Sequence, residues 1–149
     1  MIYTIEVGYK DALNDASGMS TKKDIEDLGI YSVRQVRASQ LYIIEGEIEE
    51  DKILSVCREL LSDPVIQYFK INESSGKGSL KADVYYKKGV TDAVGESVKI
   101  GIRDMGIDGV ESVRTGARYE ITGRLSGRIV RSICERLLAN KVVQEYKII

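Results

Sequence analysis

The heptapeptide VIQYFKI, at residues 65–71, returns 77 positions later as VVQEYKI, at residues 142–148. Extending the comparison in both directions aligns residues 3–72 with residues 80–149 without a gap, and 26 of the 70 aligned positions are identical. An ungapped internal match of this length indicates a tandem duplication. We therefore expect repeat 1 at residues 1–72, a linker at residues 73–79 and repeat 2 at residues 80–149.

Each repeat carries the same sequence of structural signals. Apolar and polar residues alternate from Tyr3 to Tyr9, which predicts a first strand. Asp15 stands where a helix N-cap belongs, and Gly29 is suited to the left-handed position that ends a helix. A second helix is predicted by apolar residues at helical spacing, namely Ile53, Val56, Cys57, Leu60 and Leu61. Residues 66–71 complete the repeat as a last strand, and the equivalent positions of repeat 2 repeat the pattern.

A β-hairpin is predicted between the two helices, with Val33 and Val36 in one arm and the alternating residues 42–48 in the other. Its turn falls at residues 38–40 in repeat 1 and at residues 115–117 in repeat 2. The predicted fold is α+β, with two βαββαβ (ferredoxin-like) repeats packed as a pseudo-twofold intrachain dimer with antiparallel sheets. A unit of about 70 residues has a marginal core, so pairing with its twin is expected to cover apolar surface.

Composition restricts the functions that are open to the chain. Its 22 basic and 23 acidic residues give a net charge of −1, which provides no field for nucleic acid or anionic lipid. No stretch approaches 18 apolar residues, and the N-terminus begins as a strand, so we expect a cytoplasmic protein without a membrane partner. The chain has no His, which removes Ser-His and Cys-His catalysis. We expect no catalytic residues, no metal site and no cofactor.

Several side chains have both a structural and a functional interpretation. Cys57 and Cys134 lie on the apolar stripe of the second helix, so we expect buried thiols rather than reactive ones. Asp15 and Asp92 are equivalent positions in two repeats, which favours helix capping over an acid pair. Arg37 and Arg114 each close an apolar strand segment beside small residues. A solvated charge is the default for them, and contact with a partner or an anion is the alternative, because Arg is favoured at interfaces.

The repeats resemble PurS, the small subunit of phosphoribosylformylglycinamidine (FGAM) synthase, over nearly all of both copies. Repeat 2 carries the clearest motifs: Lys87-Lys88-Gly89-Val90-Thr91-Asp92, Val113-Arg114-Thr115-Gly116, Tyr119-Glu120, and the run from Cys134 to Tyr146. Repeat 1 departs at residues 11–15, 38–40 and 61–64. Neither repeat has the proline that the family usually places after the aspartate, since Ala16 and Ala93 stand there. Repeat 2 is therefore expected to make the more family-like contacts.

The resemblance implies a subunit without activity of its own in an ATP- and glutamine-dependent, amidine-forming ligase of purine biosynthesis. Such a subunit bridges a glutaminase subunit and an ATP-dependent synthetase subunit and helps to enclose the route of ammonia. Arg37, Arg114, Lys87 and Tyr119 are the predicted partner-interface residues. Whether the chain also associates with itself is left open. The alternative function is a tandem small-molecule-binding regulatory module, because paired repeats of this kind also build ligand sensors and fold does not fix function.

Overall fold

The computed structural model describes residues 1–73 and 80–149, so residues 74–79 of the predicted linker lie outside the described residues. The boundaries of the two repeats and their linker stay a prediction. Repeat 1 comprises β1 (Ile2–Tyr9), α1 (Ala16–Asp27), β2 (Val33–Gly46), α2 (Glu50–Val56) and β3 (Gln67–Ile71), with a 3₁₀ turn at Ala12–Asn14. Repeat 2 comprises β4 (Leu80–Tyr86), α3 (Ala93–Asp104), β5 (Val110–Gly123), α4 (Gly127–Ile133) and β6 (Gln144–Ile148).

Within the described residues, the strands form one antiparallel sheet in the order β3-β1-β2-β5-β4-β6. Strands β2 and β5 lie at its centre and pair along their whole length, from Val33–Gly123 to Gly46–Val110. Gln40 pairs directly with Ala117, and these two residues occupy equivalent positions in the two repeats. A pseudo-twofold axis therefore passes through that pair. The predicted α+β class and the pseudo-twofold antiparallel pairing are confirmed.

The hairpin predicted inside each repeat is wrong, because β2 and β5 are continuous strands of 14 residues each. Residues 38–40 pair with residues 117–119 of the other repeat instead of turning back. Gly116, which suggested a turn, is needed for close packing: a Cβ there would lie 2.6 Å from the Tyr85 ring and from the Val84 carbonyl oxygen. Each repeat is therefore βαβαβ in the described residues, and one long strand stands where the βαββαβ prediction placed two.

The hydrophobic cores are shared between the repeats. In one cluster Ile53 and Cys57 of repeat 1 pack with Ile102 and Val113 of repeat 2. In another, Ile25 of α1 packs with Ile133 of α4. Each repeat thus completes part of its core with a helix of the other. Removing one aliphatic side chain fully from water stabilises a protein by about 2 kcal/mol. Separating the repeats would expose several of these side chains to water and lose that stabilisation.

The helices begin and end largely where the sequence predicts. Gly29 and Gly106 follow α1 and α3 with φ of +88° and +81°, as expected for the residue after a helix C-cap. Helices α2 and α4 continue into π turns at Cys57–Leu61 and Cys134–Leu138. The first π turn rotates Leu60 off the predicted stripe, and it lies against Gly101 of α3 with 39% of its surface exposed. None of the helices in the described parts of the chain has the length and apolar character needed to span a membrane.

Candidate partner interface

One face of the sheet carries the helices, and the other carries charged and tyrosine side chains. Val36 and Val113 point into the helix-covered cores, and successive side chains of a strand point to opposite faces. Arg37 and Arg114, the next residues along, therefore point to the helix-free face. Arg37 pairs with Glu120 across the β2–β5 ladder, and Arg114 pairs with Ile43. The two sites are six positions apart along the ladder, which places the arginines about 20 Å apart on one surface.

The N-termini of α1 and α3 hold the strands at these two sites. Asp15 accepts a hydrogen bond from the Gly18 amide of its own helix and another, at 2.8 Å, from the Ala38 amide of β2. Asp92 likewise accepts from the amides of Gly95 and Thr115. The prediction that both aspartates cap helices is confirmed. Each carboxylate also satisfies a strand amide next to an interface arginine, so the caps fix the backbone that presents these side chains.

The repeat-1 notch is a cavity of about 380 Å³ on the helix-free face, lined by Tyr9, Lys10, Arg37, Tyr68, Lys70 and Glu120. Arg37 donates from Nη2 to the Tyr9 carbonyl oxygen at 2.6 Å, and its Nε lies 3.7 Å from Oδ2 of Asp15. Lys10 donates to the carbonyl oxygen of Pro64, and the Lys70 ammonium lies 5.4 Å from the centre of the Tyr68 ring. Three cationic side chains therefore converge on this cavity.

The repeat-2 notch is a cavity of about 200 Å³ that is lined in part by Tyr86, Lys87 and Arg114, the equivalents of Tyr9, Lys10 and Arg37. Its other walls differ from those of the repeat-1 notch and are formed by Lys88, Gly89, Val90, Asp92 and Thr115. Lys87 donates to the Lys141 carbonyl oxygen, as Lys10 does to that of the equivalent Pro64. The Arg114 guanidinium is exposed and lies 5.6 Å from the centre of the Tyr85 ring. The structure thus brings two of the predicted interface residues, Lys87 and Arg114, into one cavity.

Tyr119 does not join either notch. It is half-buried on the helix-covered face and lines a separate cavity of about 210 Å³ beside Gln40 and Ala117. Burial raises the pKa of its phenol. Its equivalent, Tyr42, has a pKa raised by the same cause. This tyrosine therefore belongs to the packing near the pseudo-twofold axis rather than to the surface that carries Arg37 and Arg114.

A buried ion network crosses the centre of the helix-free face, and the sequence interpretation missed it. Arg118 is only 8% exposed and donates two hydrogen bonds to Asp83, at 2.8 and 2.9 Å. Its third donor reaches Glu6 of repeat 1 at 2.9 Å. Lys81, also buried, lies 3.7 Å from Glu120. The signal available in the sequence was charged residues at alternate positions of β4 and β5, which an exposed strand face also produces.

This network shifts the pKa values of its members. Burial on its own would raise the pKa of Glu6, but the hydrogen bond from Ser39 and the charge of Arg118 together lower it. Hydrogen bonding to Asp83 outweighs burial and raises the pKa of Arg118, so the guanidinium stays charged. Burial and the charge of Glu6 raise the pKa of Tyr68 to about 12. At neutral pH Glu6 and Arg118 are therefore charged and the Tyr68 phenol is neutral, as expected of a structural network rather than of an acid–base site.

No group of three or more Cys, Asp and Glu side chains in residues 1–73 and 80–149 is arranged to hold a metal ion. The two cysteines are fully buried, which confirms the prediction of core thiols, and burial raises the pKa of each to about 11. The helix-free face presents Arg37 and Arg114, each of which lines a cationic notch, and the β2–β5 ladder joins them. This arrangement is suited to binding another molecule.

A protein-family model described as PurS, phosphoribosylformylglycinamidine (FGAM) synthase, matches the chain twice, at residues 2–75 and 79–149. The PurS subunit of Bacillus subtilis is 35% identical over 72 residues, which make up 46% of this chain and 86% of that protein. The PurS subunit of Archaeoglobus fulgidus is 39% identical over 75 residues, covering 46% of this chain and 94% of that protein. Each relative is thus matched over most of its length by less than half of this chain.

Two solved structures of PurS proteins are similar to part of this chain. The structure of Bacillus subtilis PurS is 29% identical and covers 48% of this chain and 94% of its own, with a TM-score of 0.40. Methanocaldococcus jannaschii PurS is described as one of the subunits of formylglycinamide ribonucleotide amidotransferase in the purine biosynthetic pathway. It is 24% identical and covers 48% of this chain and 92% of its own, with a TM-score of 0.39.

Proposed function

The chain belongs to the PurS family, and from that membership we propose that it is a non-catalytic subunit of phosphoribosylformylglycinamidine synthase that bridges the enzyme's glutaminase and ATP-dependent synthetase subunits. Its role is in purine biosynthesis, where glutamine supplies ammonia and ATP drives formation of the amidine. A bridging subunit in the cytoplasm would hold the two active sites in register and keep ammonia from escaping between them. The chain's own residues contribute recognition and rigidity to this arrangement.

The observation that carries the proposal is a pair of cationic notches whose arginines, Arg37 and Arg114, point to the same face of the sheet. A bridge needs two recognition surfaces at a fixed separation. Arg37 and Arg114 lie about 20 Å apart on a continuous ladder, and the buried ion network lies between them. Hydrogen-bonded strands deform little, so contacts at one notch would fix the position of the other. Each notch could therefore bind a different subunit while the ladder sets the distance between the two subunits.

Charge indicates what each notch would bind. In the repeat-1 notch, Lys10 and Lys70 make no ion pair within 4.0 Å among the described residues, while Glu120 is already paired with Lys81. An acidic segment of a partner would pair with the Lys10 and Lys70 ammonium groups through charge-assisted hydrogen bonds. Arg is suited to this contact because its planar guanidinium binds a carboxylate through two parallel bonds. We propose Arg37, Arg114 and Lys87 as partner contacts on this basis.

The two notches differ enough to select different partners. Tyr68 and Lys70 line the repeat-1 notch, whereas their equivalents in repeat 2, Glu145 and Lys147, do not line the repeat-2 notch, and Glu145 replaces a tyrosine by an acid. Lys88 is added in repeat 2, where repeat 1 has Asp11. Since rim charges govern specificity and association rate more than total affinity, these exchanges favour distinct partners for the two ends.

Assembly with the two partner subunits tests the assignment. Arg114→Ala and Arg37→Ala should each weaken binding of a partner, by roughly tenfold, since losing a charged interface contact typically costs 1–2 kcal/mol. Arg34→Ala is the control, because Arg34 is an exposed arginine on β2, the strand of Arg37, and lines neither notch. Binding is measured by interferometry and the fold by circular dichroism. Unchanged affinity in both notch variants would remove the notches from the interface. Tight binding of an amino acid or nucleotide by the isolated chain would favour the regulatory-module alternative.

A further inference from the structure

Leu41 and Arg118 are equivalent residues of the two repeats, yet one is apolar and the other is charged. Both lie next to the pseudo-twofold axis on the helix-free face, since Leu41 pairs with Gly116 and Arg118 pairs with Ser39. We infer that the two repeats are complementary rather than interchangeable. Two acidic residues across the axis, Glu6 and Asp83, bind one arginine between them. Repeat 1, which has leucine at this position, therefore fits a repeat that has arginine there and not a second copy of itself.

The acidic pair consists of Glu6 and Asp83, which are also equivalent positions. Arg118 contacts both: Nε and Nη2 donate to Asp83 of its own repeat, and Nη1 donates to Glu6 across the axis at 2.9 Å. Asp83 is 3% exposed and Arg118 is 8% exposed. Three of the five guanidinium N–H donors are therefore used on two carboxylates within one enclosed cluster.

Pseudo-symmetry means that an arginine could serve this cluster from either repeat. Arg118 lies opposite Asp83 in the β4–β5 pairing, and Leu41 lies opposite Glu6 in the β1–β2 pairing. An arginine at position 41 would thus have Glu6 as its cross-strand neighbour and Asp83 across the axis. By this pseudo-twofold symmetry, an arginine at position 41 would contact the same two carboxylates, with the roles of Glu6 and Asp83 exchanged.

One arginine satisfies the cluster, whereas none or two would not. With leucine at both positions, the buried Asp83 carboxylate and the partly buried Glu6 carboxylate would have no arginine between them, and a charge left without its partner in such surroundings is strongly destabilising. With arginine at both positions, two guanidinium groups would be diagonal neighbours on adjacent strands, where side chains interact directly. Leu41 is fully buried, so a second guanidinium there would also lack solvent. The leucine therefore serves as the apolar neighbour that leaves room for a single arginine.

Three variants of the full chain test this inference. Arg118→Leu recreates at this position the pairing of repeat 1 with itself, and Leu41→Arg recreates the pairing of repeat 2 with itself. The double variant Leu41→Arg/Arg118→Leu moves the single arginine to the other repeat. Arg34→Leu is the control for losing an exposed arginine from β2. Thermal unfolding of each chain is followed by circular dichroism.

We expect Arg118→Leu to lower the Tm by roughly 10 °C, as for a broken buried ion pair in a chain of this size. Leu41→Arg should also lower the Tm, and the double variant should recover at least half of the loss caused by Arg118→Leu, with Arg34→Leu near the wild-type value. A double variant no more stable than Arg118→Leu would overturn the inference, because the arginine would then be required only at its own position. If Arg118→Leu does not fold, a folded double variant supports the inference and an unfolded one overturns it.

Discussion

Arg118 of repeat 2 donates a hydrogen bond from Nη1 to Oε1 of Glu6 in repeat 1, at 2.9 Å, across the pseudo-twofold axis. This contact joins residues 112 positions apart in sequence and lies on the face of the sheet that carries the candidate interface. It links the stability of the paired repeats to the ionisation of one carboxylate. Protonating Glu6 should therefore weaken the pairing of the two repeats.

Glu6 should make the chain sensitive to acid. Its pKa in the folded chain lies below the usual value of 4.5, so its contribution to stability is present above that value and is lost as the pH falls through the folded pKa. Glu6→Gln should flatten the fall in stability below about pH 4.5 and lower stability at pH 7. Glu59→Gln, at an exposed glutamate, is the control. Urea unfolding at a series of pH values measures the effect, and equal acid sensitivity in wild type and Glu6→Gln would contradict it.

The cysteines should react slowly in the folded chain and quickly in denaturant. Burial raises the pKa of Cys57 and of Cys134 from 9.0 to about 11, and the thiolate is the reactive form. Because these pKa values are raised, the associated stability is present below pH 9 and is lost as the pH rises through 11. Labelling with a chromogenic thiol reagent at pH 8, with and without urea, checks the first statement. Rapid labelling of both thiols without urea would show that the second helices open readily.

Cleavage of the chain between the repeats should leave the two parts associated, because both large cores contain residues of each repeat. A chain with a protease site introduced between residues 73 and 80 is cut and then passed through size exclusion at low concentration. We expect one folded peak that contains both fragments. Two separate, well-folded monomers would mean that each repeat forms a sufficient core alone.

Gly46 should be among the least replaceable residues of the central ladder. Its φ is +155°, and a Cβ there would lie 2.1 Å from the Gly109 carbonyl oxygen, where β2 ends beside β5. Gly46→Ala should lower the free energy of unfolding by roughly 3 kcal/mol through strain and displaced backbone. Gly127→Ala is the control, because nothing lies within 4 Å of its added Cβ. Denaturant unfolding compares the two, and equal stability would show that the strand ends adjust freely.

The sequence predicted the duplication, the caps and most of the core, because these features depend on local pattern. Asp15 and Asp92 are recognisable from position alone, and Ile53, Val56 and Cys57 from helical spacing. The continuous strands were missed because their pairing partner lies in the other repeat. Local sequence could not show that residues 38–40 extend towards residues 117–119, and Gly116 suggested a turn when it makes room for Tyr85.

The candidate site was only partly predictable for a related reason. Arg37 and Arg114 could be chosen from their positions, but the contrast between buried Arg118 and exposed Arg114 arises only when β4 and β1 bring Asp83 and Glu6 alongside. Tyr119 was grouped with the arginines through its place in a motif, whereas strand alternation puts it on the opposite face. Side-chain direction along a strand depends on register, which is fixed by pairing over long distances.

The most direct test of the bridging role compares two ammonia sources in a reconstituted synthase. The glutaminase and synthetase subunits are assayed with and without this chain, using glutamine in one series and free ammonium in the other. We predict that adding the chain raises glutamine-dependent turnover severalfold and leaves ammonium-dependent turnover unchanged, because a bridge affects delivery of ammonia and not the site that consumes it. Full glutamine-dependent turnover without the chain, or an equal rise with both nitrogen sources, would contradict the account.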